Sequence, residues 1–167
     1  MTSTRGGAAI GQTATQPSDA GLRFIGRFEG FRGTLYDDPA GNCTIGFGHL
    51  VHVGPTDGSE PPELCAGITR QQALELLRVD AHAAAEAVRA QVTVPLSQPQ
   101  FDALVSFAYN VGPAAFAGST LVRLLNAGGY RAVPVQLARW TMAGGRRLPG
   151  LVRRRSAEGR LFARGLY

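Results

Sequence analysis

The chain has 167 residues, of which 44% are hydrophobic and 17% are charged. A chain of this length and composition can bury the core of one domain, which excludes a disulfide-stapled miniature, a disordered chain and a membrane-spanning protein. The formal net charge is +5, and all 17 basic residues are arginine. A basic protein attracts polyanions such as nucleic acid or the anionic polymers of a bacterial envelope, and charge alone does not distinguish them.

Residues 1–17 differ from the rest of the chain in composition, because they are rich in glycine, alanine, threonine and glutamine. This composition predicts a flexible N-terminal arm, with an ordered strand laid on the domain as the alternative. A single domain is then expected at residues 18–167. The arm also lacks the apolar centre of a secretory signal, so we expect synthesis in the cytoplasm without a signal peptide.

The first predicted element is a helix that ends near Glu29. Ser18 or Asp19 can cap its N-terminus. An apolar stripe at helical spacing follows, formed by Leu22, Ile25 and Phe28. The predicted helix therefore carries an acidic side chain at its C-terminal end.

A β-hairpin is predicted after this helix. Residues 34–36 and the apolar residues 43–47 can form its strands, because the turn-forming sequence DDPAG separates them at residues 37–41. The segment 53–62 contains several prolines and predicts a loop.

Helices are predicted from residue 69 onward. Thr69 and Gln72 form a capping box before a long apolar-rich stretch, which predicts a long helix that ends before Pro95. Ser97 and Gln100 repeat the capping box before a second helix. Shorter helices are predicted at about 119–126, 132–142 and 151–164.

The order of these elements is typical of an α+β protein, because the strands come first and the helices follow. We expect a small N-terminal β-hairpin lobe and a larger helical C-terminal lobe, joined by the long helix. A cleft between the two lobes is the natural place for an active site.

The cysteines and histidines do not predict a metal site. Cys43 and Cys65 are too few for a disulfide framework and lack the spacing of zinc ligands. Two free thiols are expected, with a bridge between them as the alternative. His49 and His52 lie three residues apart, but further ligands at a suitable spacing are missing, so no metal site is predicted.

Glu29, Asp38 and Thr44 are the candidate catalytic residues. Glu29 lies between Phe28 and Phe31 at a helix C-terminus, where partial desolvation and the helix dipole both favour the protonated acid. Asp38 lies in a polar turn and should stay ionised. Two carboxyl groups in unlike surroundings can divide the acid and base roles of glycoside hydrolysis. Taken singly, each residue has an ordinary explanation as a surface, turn or strand residue.

Thr44 lies on the second strand of the predicted hairpin, where neighbouring side chains point to opposite faces. If Thr44 and Gly46 face the cleft, then Cys43 and Ile45 face the core, and the residue types agree with that assignment. A hydroxyl in the cleft could hold an attacking water molecule.

The sequence around these residues resembles that of the bacteriophage-type lysozymes of glycoside hydrolase family twenty-four, also called endolysins or muramidases. Glu29, eight intervening residues, Asp38, five intervening residues and Thr44 match the catalytic spacing of that family. The matching segments are EGF beginning at Glu29, YDD ending at Asp38 and TIGFGH beginning at Thr44. The resemblance continues through FDALVSFAYNVG at residues 101–112 and covers about residues 18–167.

The resemblance implies a lysozyme-like fold and hydrolysis of the β-1,4 bond between N-acetylmuramic acid and N-acetylglucosamine in bacterial peptidoglycan. Glu29 would be the general acid, Asp38 would stabilise positive charge or assist the water, and Thr44 would position that water for attack with inversion. The implied substrate contacts are Leu50, Tyr109 and Ser119.

The resemblance also implies two ion pairs. His49 would pair with Asp80 on the long helix in a structural role, with an unpaired His49 as the alternative. Arg154 would approach Glu29 across the cleft, where its charge opposes the protonated form of Glu29. A solvated basic face is the ordinary reading of residues 153–155.

The implied partner is bacterial peptidoglycan, with no cofactor, no nucleic acid and no membrane insertion. We expect a monomer that is made in the host cytoplasm, acts on the cell wall after release and depends on a holin for export. The alternatives are a lytic transglycosylase, in which a hydroxyl of the substrate attacks, and a non-catalytic peptidoglycan-binding module. A nucleic-acid-binding domain fits the charge, but the chain has no recognisable binding motif.

Overall fold

The computed structural model of the protein describes residues 14–167, so most of the predicted N-terminal arm lies outside the described residues. The helices are α1 (Asp19–Glu29), α2 (Pro62–Cys65), α3 (Arg70–Asp80), α4 (His82–Gln91), α5 (Gln98–Val111), α6 (Pro113–Ala117), α7 (Thr120–Asn126), α8 (Val133–Leu137) and α9 (Pro149–Arg164). The strands are β1 (Arg32–Asp37), β2 (Cys43–Gly46), β3 (His49–His52), β4 (Met142–Ala143) and β5 (Arg146–Arg147). The predicted α+β class is confirmed.

The small lobe contains an antiparallel sheet with the strand order β1-β2-β3. The predicted hairpin corresponds to β1 and β2, and the structure adds β3, which pairs with β2 so that Thr44 lies opposite Leu50. The expectation that Gly46 faces the cleft is wrong. Its backbone has a φ of +71°, and a Cβ at this position would lie 3.1 Å from the Cβ of Ala73 on α3.

Helix α1 begins as predicted, with Ser18 as its N-cap. The Ser18 hydroxyl accepts a hydrogen bond from the Gly21 N–H at 3.0 Å and donates one to Asp102 Oδ2 at 2.5 Å. Asp102 is buried on α5, and it also accepts a hydrogen bond from the Tyr167 hydroxyl at 2.6 Å. The first turn of α1 and the last residue of the chain therefore meet at one buried carboxylate.

The long helix predicted from residue 69 is divided into α3 and α4. The division is at Ala81, where ψ is −5° although its N–H still donates to the Leu77 carbonyl. Asp80 directly precedes the division and directs its carboxylate to His49. Helix α4 ends at Gln91, which confirms the expected end before Pro95.

Helix α5 is the centre of the large lobe. Its residues 101–108 are all buried, and it packs against α1, α4, α6 and α9. Ser97 and Gln100 form the predicted capping box at its N-terminus. Because α1 and α9 both pack on α5, side chains near the end of α1 and on α9 are brought to the same place.

The predicted helix at 132–142 is wrong in length. Residues Tyr130–Ala132 form a 3₁₀ turn, α8 ends at Leu137, and strands β4 and β5 form a hairpin. Gly144 and Gly145 both have positive φ, the conformation that a two-residue hairpin turn requires. The glycine pair was the sequence signal for this hairpin.

Residues 14–17, which the sequence assigned to the arm, contact the domain. The Ala14 N–H donates to the Leu96 carbonyl at 3.2 Å, and Gln98 Nε2 donates to the Gln16 carbonyl at 2.8 Å.

Both cysteines, Cys43 and Cys65, are free thiols, so the alternative of a bridge is wrong. Within residues 14–167, every helix falls short of the length and apolar character needed to cross a bilayer.

Candidate active site

Glu29 lies at the C-terminus of α1 beside an open cavity of about 660 Å³. Phe28, Asn110 and Arg154 also line this cavity, together with the start of α9. The Glu29 side chain is 25% exposed, so the carboxyl group is half-buried but open to a ligand. The chain leaves the helix at Gly30, where φ is +76°. A partly desolvated acid at the wall of a cavity is suited to proton transfer.

Arg154 contacts Glu29 directly, as the resemblance implied. Its Nη1 donates to Glu29 Oε1 at 2.6 Å, and its guanidinium lies 5.2 Å from the centre of the Phe28 ring. The Arg154 side chain is 4% exposed, and its Nε donates to Glu158 Oε1 at 3.1 Å. Arg154 therefore fixes one oxygen of Glu29 and is itself held by a second carboxylate.

Glu158 is the centre of a buried polar network between α5 and α9. Its side chain is fully buried and accepts from Arg155 Nη1 at 2.5 Å and from the Ser106 hydroxyl at 2.8 Å. Arg155 Nε also donates to the Trp140 carbonyl at 3.1 Å. Burial lowers the pKa of Arg155.

The interpretation of residues 153–155 as one solvated basic face is wrong for two of the three. Arg153 is exposed, but Arg154 and Arg155 are both buried. The sequence signal for the network was the spacing of these arginines, four and three residues before Glu158 on one predicted helix.

Asp38 lies in the turn between β1 and β2. Its Oδ1 accepts hydrogen bonds from the backbone N–H groups of Ala40 at 2.8 Å and Asn42 at 2.9 Å. The hydrogen bond from Asn42, supported by that from Ala40, lowers the pKa of Asp38 below its ordinary value. Asp38 is therefore a carboxylate at neutral pH.

Thr44 is linked to Asp38 through one peptide group. The Thr44 hydroxyl donates to the Asn42 carbonyl oxygen at 3.0 Å, and the Asp38 N–H donates to the same oxygen at 2.9 Å. Thr44 is 3% exposed. Its hydroxyl proton is engaged by the protein, so its oxygen can act towards a water molecule as an acceptor.

The three residues predicted to contact substrate lie in different settings. Leu50 on β3 is 49% exposed and offers an apolar surface. Tyr109 on α5 lies near the charges of Glu29 and Asp80, and burial, reinforced by these charges, raises its pKa to about 12. Ser119 is buried as the N-cap of α7, where its hydroxyl accepts from the Val122 N–H at 3.3 Å. Leu50 and Tyr109 are thus more accessible to a ligand than Ser119.

Comparison with known proteins identifies the family of this chain. The phage lysozyme family matches residues 26–158. The chain belongs to the phage lysozyme family. The endolysin of Acyrthosiphon pisum secondary endosymbiont phage 1 is 38% identical over 149 residues, covering 87% of this chain and 96% of the relative. The endolysin of Bacillus phage PZA is 40% identical over 154 residues, but the chain spans only 56% of its length.

Solved structures of lysozymes share the fold. A mutant of the phage P22 lysozyme superposes with a TM-score of 0.78 at 36% identity, covering 89% of this chain and 99% of that chain. The muramidase domain of SpmX from Asticaccaulis excentricus superposes with a TM-score of 0.74 at 35% identity, covering 90% and 99%. This member of the phage lysozyme family therefore has the lysozyme-like fold over nearly all of its described residues.

A contact between β3 and α3 stabilises the fold of this chain. His49 Nδ1 lies 2.9 Å and 3.1 Å from the two carboxylate oxygens of Asp80. Both side chains are about one-quarter exposed. The contact holds the small sheet against the helix that leads to the large lobe.

Replacing Asp80 with asparagine is expected to lower the free energy of unfolding by about 1 kcal/mol, because one charge-assisted hydrogen bond is weakened at a partly exposed site. Urea unfolding at neutral pH measures this change. Peptidoglycan hydrolysis at a temperature where the variant is folded should be retained. Loss of hydrolysis in a fully folded Asp80→Asn variant would instead assign Asp80 to the reaction.

Proposed function

We propose that this lysozyme cleaves the β-1,4 bond between N-acetylmuramic acid and N-acetylglucosamine in bacterial peptidoglycan, with Glu29 as the general acid. The observation that carries the proposal is the position of Glu29, half-buried at the wall of an open cavity and oriented by Arg154 at 2.6 Å. A general acid must approach the leaving oxygen in a fixed orientation, and the hydrogen bond from Arg154 fixes the orientation of the Glu29 carboxyl group.

The two carboxyl oxygens of Glu29 have different roles in this mechanism. Oε1 accepts the hydrogen bond from Arg154, which leaves Oε2 to carry the proton. Glu29 gives that proton to the glycosidic oxygen as the bond to the anomeric carbon breaks. The guanidinium then stabilises the negative charge that remains on Glu29.

Asp38 and Thr44 act on the water in the proposed inverting reaction. The backbone donors around Asp38 keep it ionised, so it stabilises the positive charge that develops on the sugar and accepts a proton from the water. Thr44 holds the water through its oxygen, because its own proton is donated to the Asn42 carbonyl. One proton leaves Glu29 and one reaches Asp38, so the two groups exchange protonation states in each turnover.

Substrate binding is proposed to use Leu50, Tyr109 and Ser119. Leu50 presents an exposed apolar side chain beside Thr44, on which the face of a sugar ring can pack. Tyr109 stays a neutral phenol at neutral pH and can donate its hydroxyl hydrogen near Glu29. Ser119 is the weakest of the three, since its hydroxyl caps α7.

The proposed biological setting is that of an endolysin. We propose that the protein acts as a monomer on the cell wall, after a holin has opened a path from the host cytoplasm. The basic charge supports attraction to an anionic wall, because residues 101–167 carry ten arginines against Asp102 and Glu158, a net of +8.

Product analysis tests the reaction type. Purified peptidoglycan is digested with the protein, and the released ends are identified by mass spectrometry. Hydrolysis is expected to give reducing N-acetylmuramic acid ends that carry one oxygen from ¹⁸O-labelled water. Anhydro-muramic acid ends without the label would mean a lytic transglycosylase. If the folded protein released no fragment from peptidoglycan, this result would favour a wall-binding module.

A further inference from the structure

Glu60 is a buried carboxylate outside the candidate active site. It lies in the loop between β3 and α2, and its side chain is 1% exposed. The backbone N–H groups of Asp57 and Gly58 donate to its two oxygens at 2.8 Å and 3.0 Å. In the described part of the chain, the one basic side chain within 4.0 Å is His52. Burial of a carboxylate is costly unless hydrogen bonds or a positive group compensate its charge, so the groups around Glu60 determine how that charge is compensated.

Cys43 and His52 both direct a ligand atom at Glu60. Cys43 Sγ lies 3.7 Å and His52 Nε2 lies 3.3 Å from Glu60 Oε1. The three atoms all lie within 4.8 Å of one another. In a tetrahedral zinc site with bonds of about 2.0 to 2.3 Å, neighbouring ligand atoms are roughly 3.3 to 3.7 Å apart. The two contacts to Glu60 already have this spacing.

The sheet and the loop hold these ligands in place. Cys43 on β2 pairs directly with His52 on β3. His52 Nδ1 lies 3.1 Å from the Val53 carbonyl oxygen, and a ring nitrogen that donates to a carbonyl leaves the other nitrogen as a lone pair for a metal. That lone pair would face a carboxylate oxygen at 3.3 Å, an arrangement that is stable only with a cation or a proton between them.

We propose that Cys43 Sγ, His52 Nε2 and Glu60 Oε1 bind one zinc ion. A mixed sulfur, nitrogen and oxygen ligand set suits Zn²⁺. The Cys43 thiol loses its proton to solvent on binding, so one thiolate and one carboxylate balance the two charges of the ion. A water molecule completes the tetrahedron, next to Asp57, whose Oδ1 lies 4.0 Å from His52 Nε2.

The zinc ion would fasten the loop 53–61 to the sheet. Cys43 directly precedes Thr44, so the loop would be tied to the strand that carries the proposed water-binding hydroxyl. The site shares no residue with the cavity at Glu29. Zinc binding is therefore a property of the small lobe that stands or falls independently of the hydrolytic reaction.

Zinc binding can be measured on the reduced full-length protein after treatment with a chelator. Titration calorimetry with zinc sulfate is expected to give one ion per chain. Free zinc at a hundredfold excess over its Kd should raise the midpoint of thermal unfolding by about 5 to 10 °C. Cobalt(II) in place of zinc should give a thiolate-to-metal charge-transfer absorption together with the visible bands of a tetrahedral ion.

Two variants and two controls locate the site. His52→Gln and Cys43→Ser should both abolish the zinc-dependent rise, and Cys43→Ser should also abolish the charge-transfer absorption. His52 is partly exposed, so His52→Gln keeps the test informative if Cys43→Ser does not fold. Cys65→Ser and His82→Gln remove a thiol and an imidazole outside the cluster and should bind zinc as the wild type does. Wild-type protein without zinc binding, or His52→Gln with unchanged binding, would overturn the proposal in favour of a proton shared between His52 and Glu60.

Discussion

Replacing Glu29 with glutamine is expected to reduce the rate of peptidoglycan hydrolysis by about 10²- to 10⁴-fold, the usual contribution of a general acid. Glutamine has nearly the same shape and can still accept the hydrogen bond from Arg154, so the cavity should stay intact. It has no proton to give to the leaving oxygen. The initial rate of turbidity loss in a peptidoglycan suspension measures the effect.

Glu63→Gln is the matched control, because Glu63 is exposed on α2 and loses the same charge. Its rate should equal that of the wild type, and circular dichroism should show that both variants are folded. A Glu29→Gln variant that clears the suspension within about threefold of the control would remove Glu29 from the role of general acid.

Replacing Glu158 with glutamine is expected to lower the free energy of unfolding by about 3 to 5 kcal/mol. The side chains of Arg154 and Arg155 are 4% and 1% exposed, and Glu158 lies between them without any exposure. Without its charge, two guanidinium groups stay buried with Glu29 as the remaining carboxylate contact of Arg154. The midpoint of thermal unfolding should fall by about 10 °C, since a domain of this size loses roughly 2 to 4 °C per kcal/mol.

Two comparisons separate buried charge from a general effect of charge loss. Glu75→Gln removes an exposed carboxylate that pairs with Arg78 at 3.3 Å, and it should change stability by less than about 0.5 kcal/mol. Adding Arg155→Met to Glu158→Gln should recover part of the loss, because one unpaired buried charge is removed with it. Equal stability of Glu158→Gln and Glu75→Gln would contradict the importance of the network.

Features that depend on neighbouring residues were predicted well from the sequence. Ser18 caps α1, α1 ends at Glu29, and the turn before β2 carries Asp38, because capping and turn formation are decided by the side chains within a few residues. The family spacing of the three candidate catalytic residues is local in the same sense.

Features that depend on distant partners were not predicted. The helix division at Ala81 lies next to an aspartate that is bound by a histidine on the sheet. Burial of Arg155 depends on Glu158 and on the Trp140 carbonyl, which periodicity alone cannot place. The cluster of Cys43, His52 and Glu60 was not predicted, because these residues come from two strands and a loop and are separated by eight and seven residues along the chain.

The meeting of Ser18 and Tyr167 at Asp102 makes this domain a natural candidate for circular permutation. Both hydroxyl groups lie within 2.6 Å of the same carboxylate oxygen, so in a variant that lacks residues 1–17 a peptide of a few residues could join Tyr167 to Ser18 without crossing the surface of the protein. New termini could be opened in the exposed turn at Gly144 and Gly145, remote in sequence from Glu29, Asp38 and Thr44. Such a rearranged chain would keep the segment from Glu29 to Thr44 intact, and α9, which carries Arg154, would be synthesised before the small lobe.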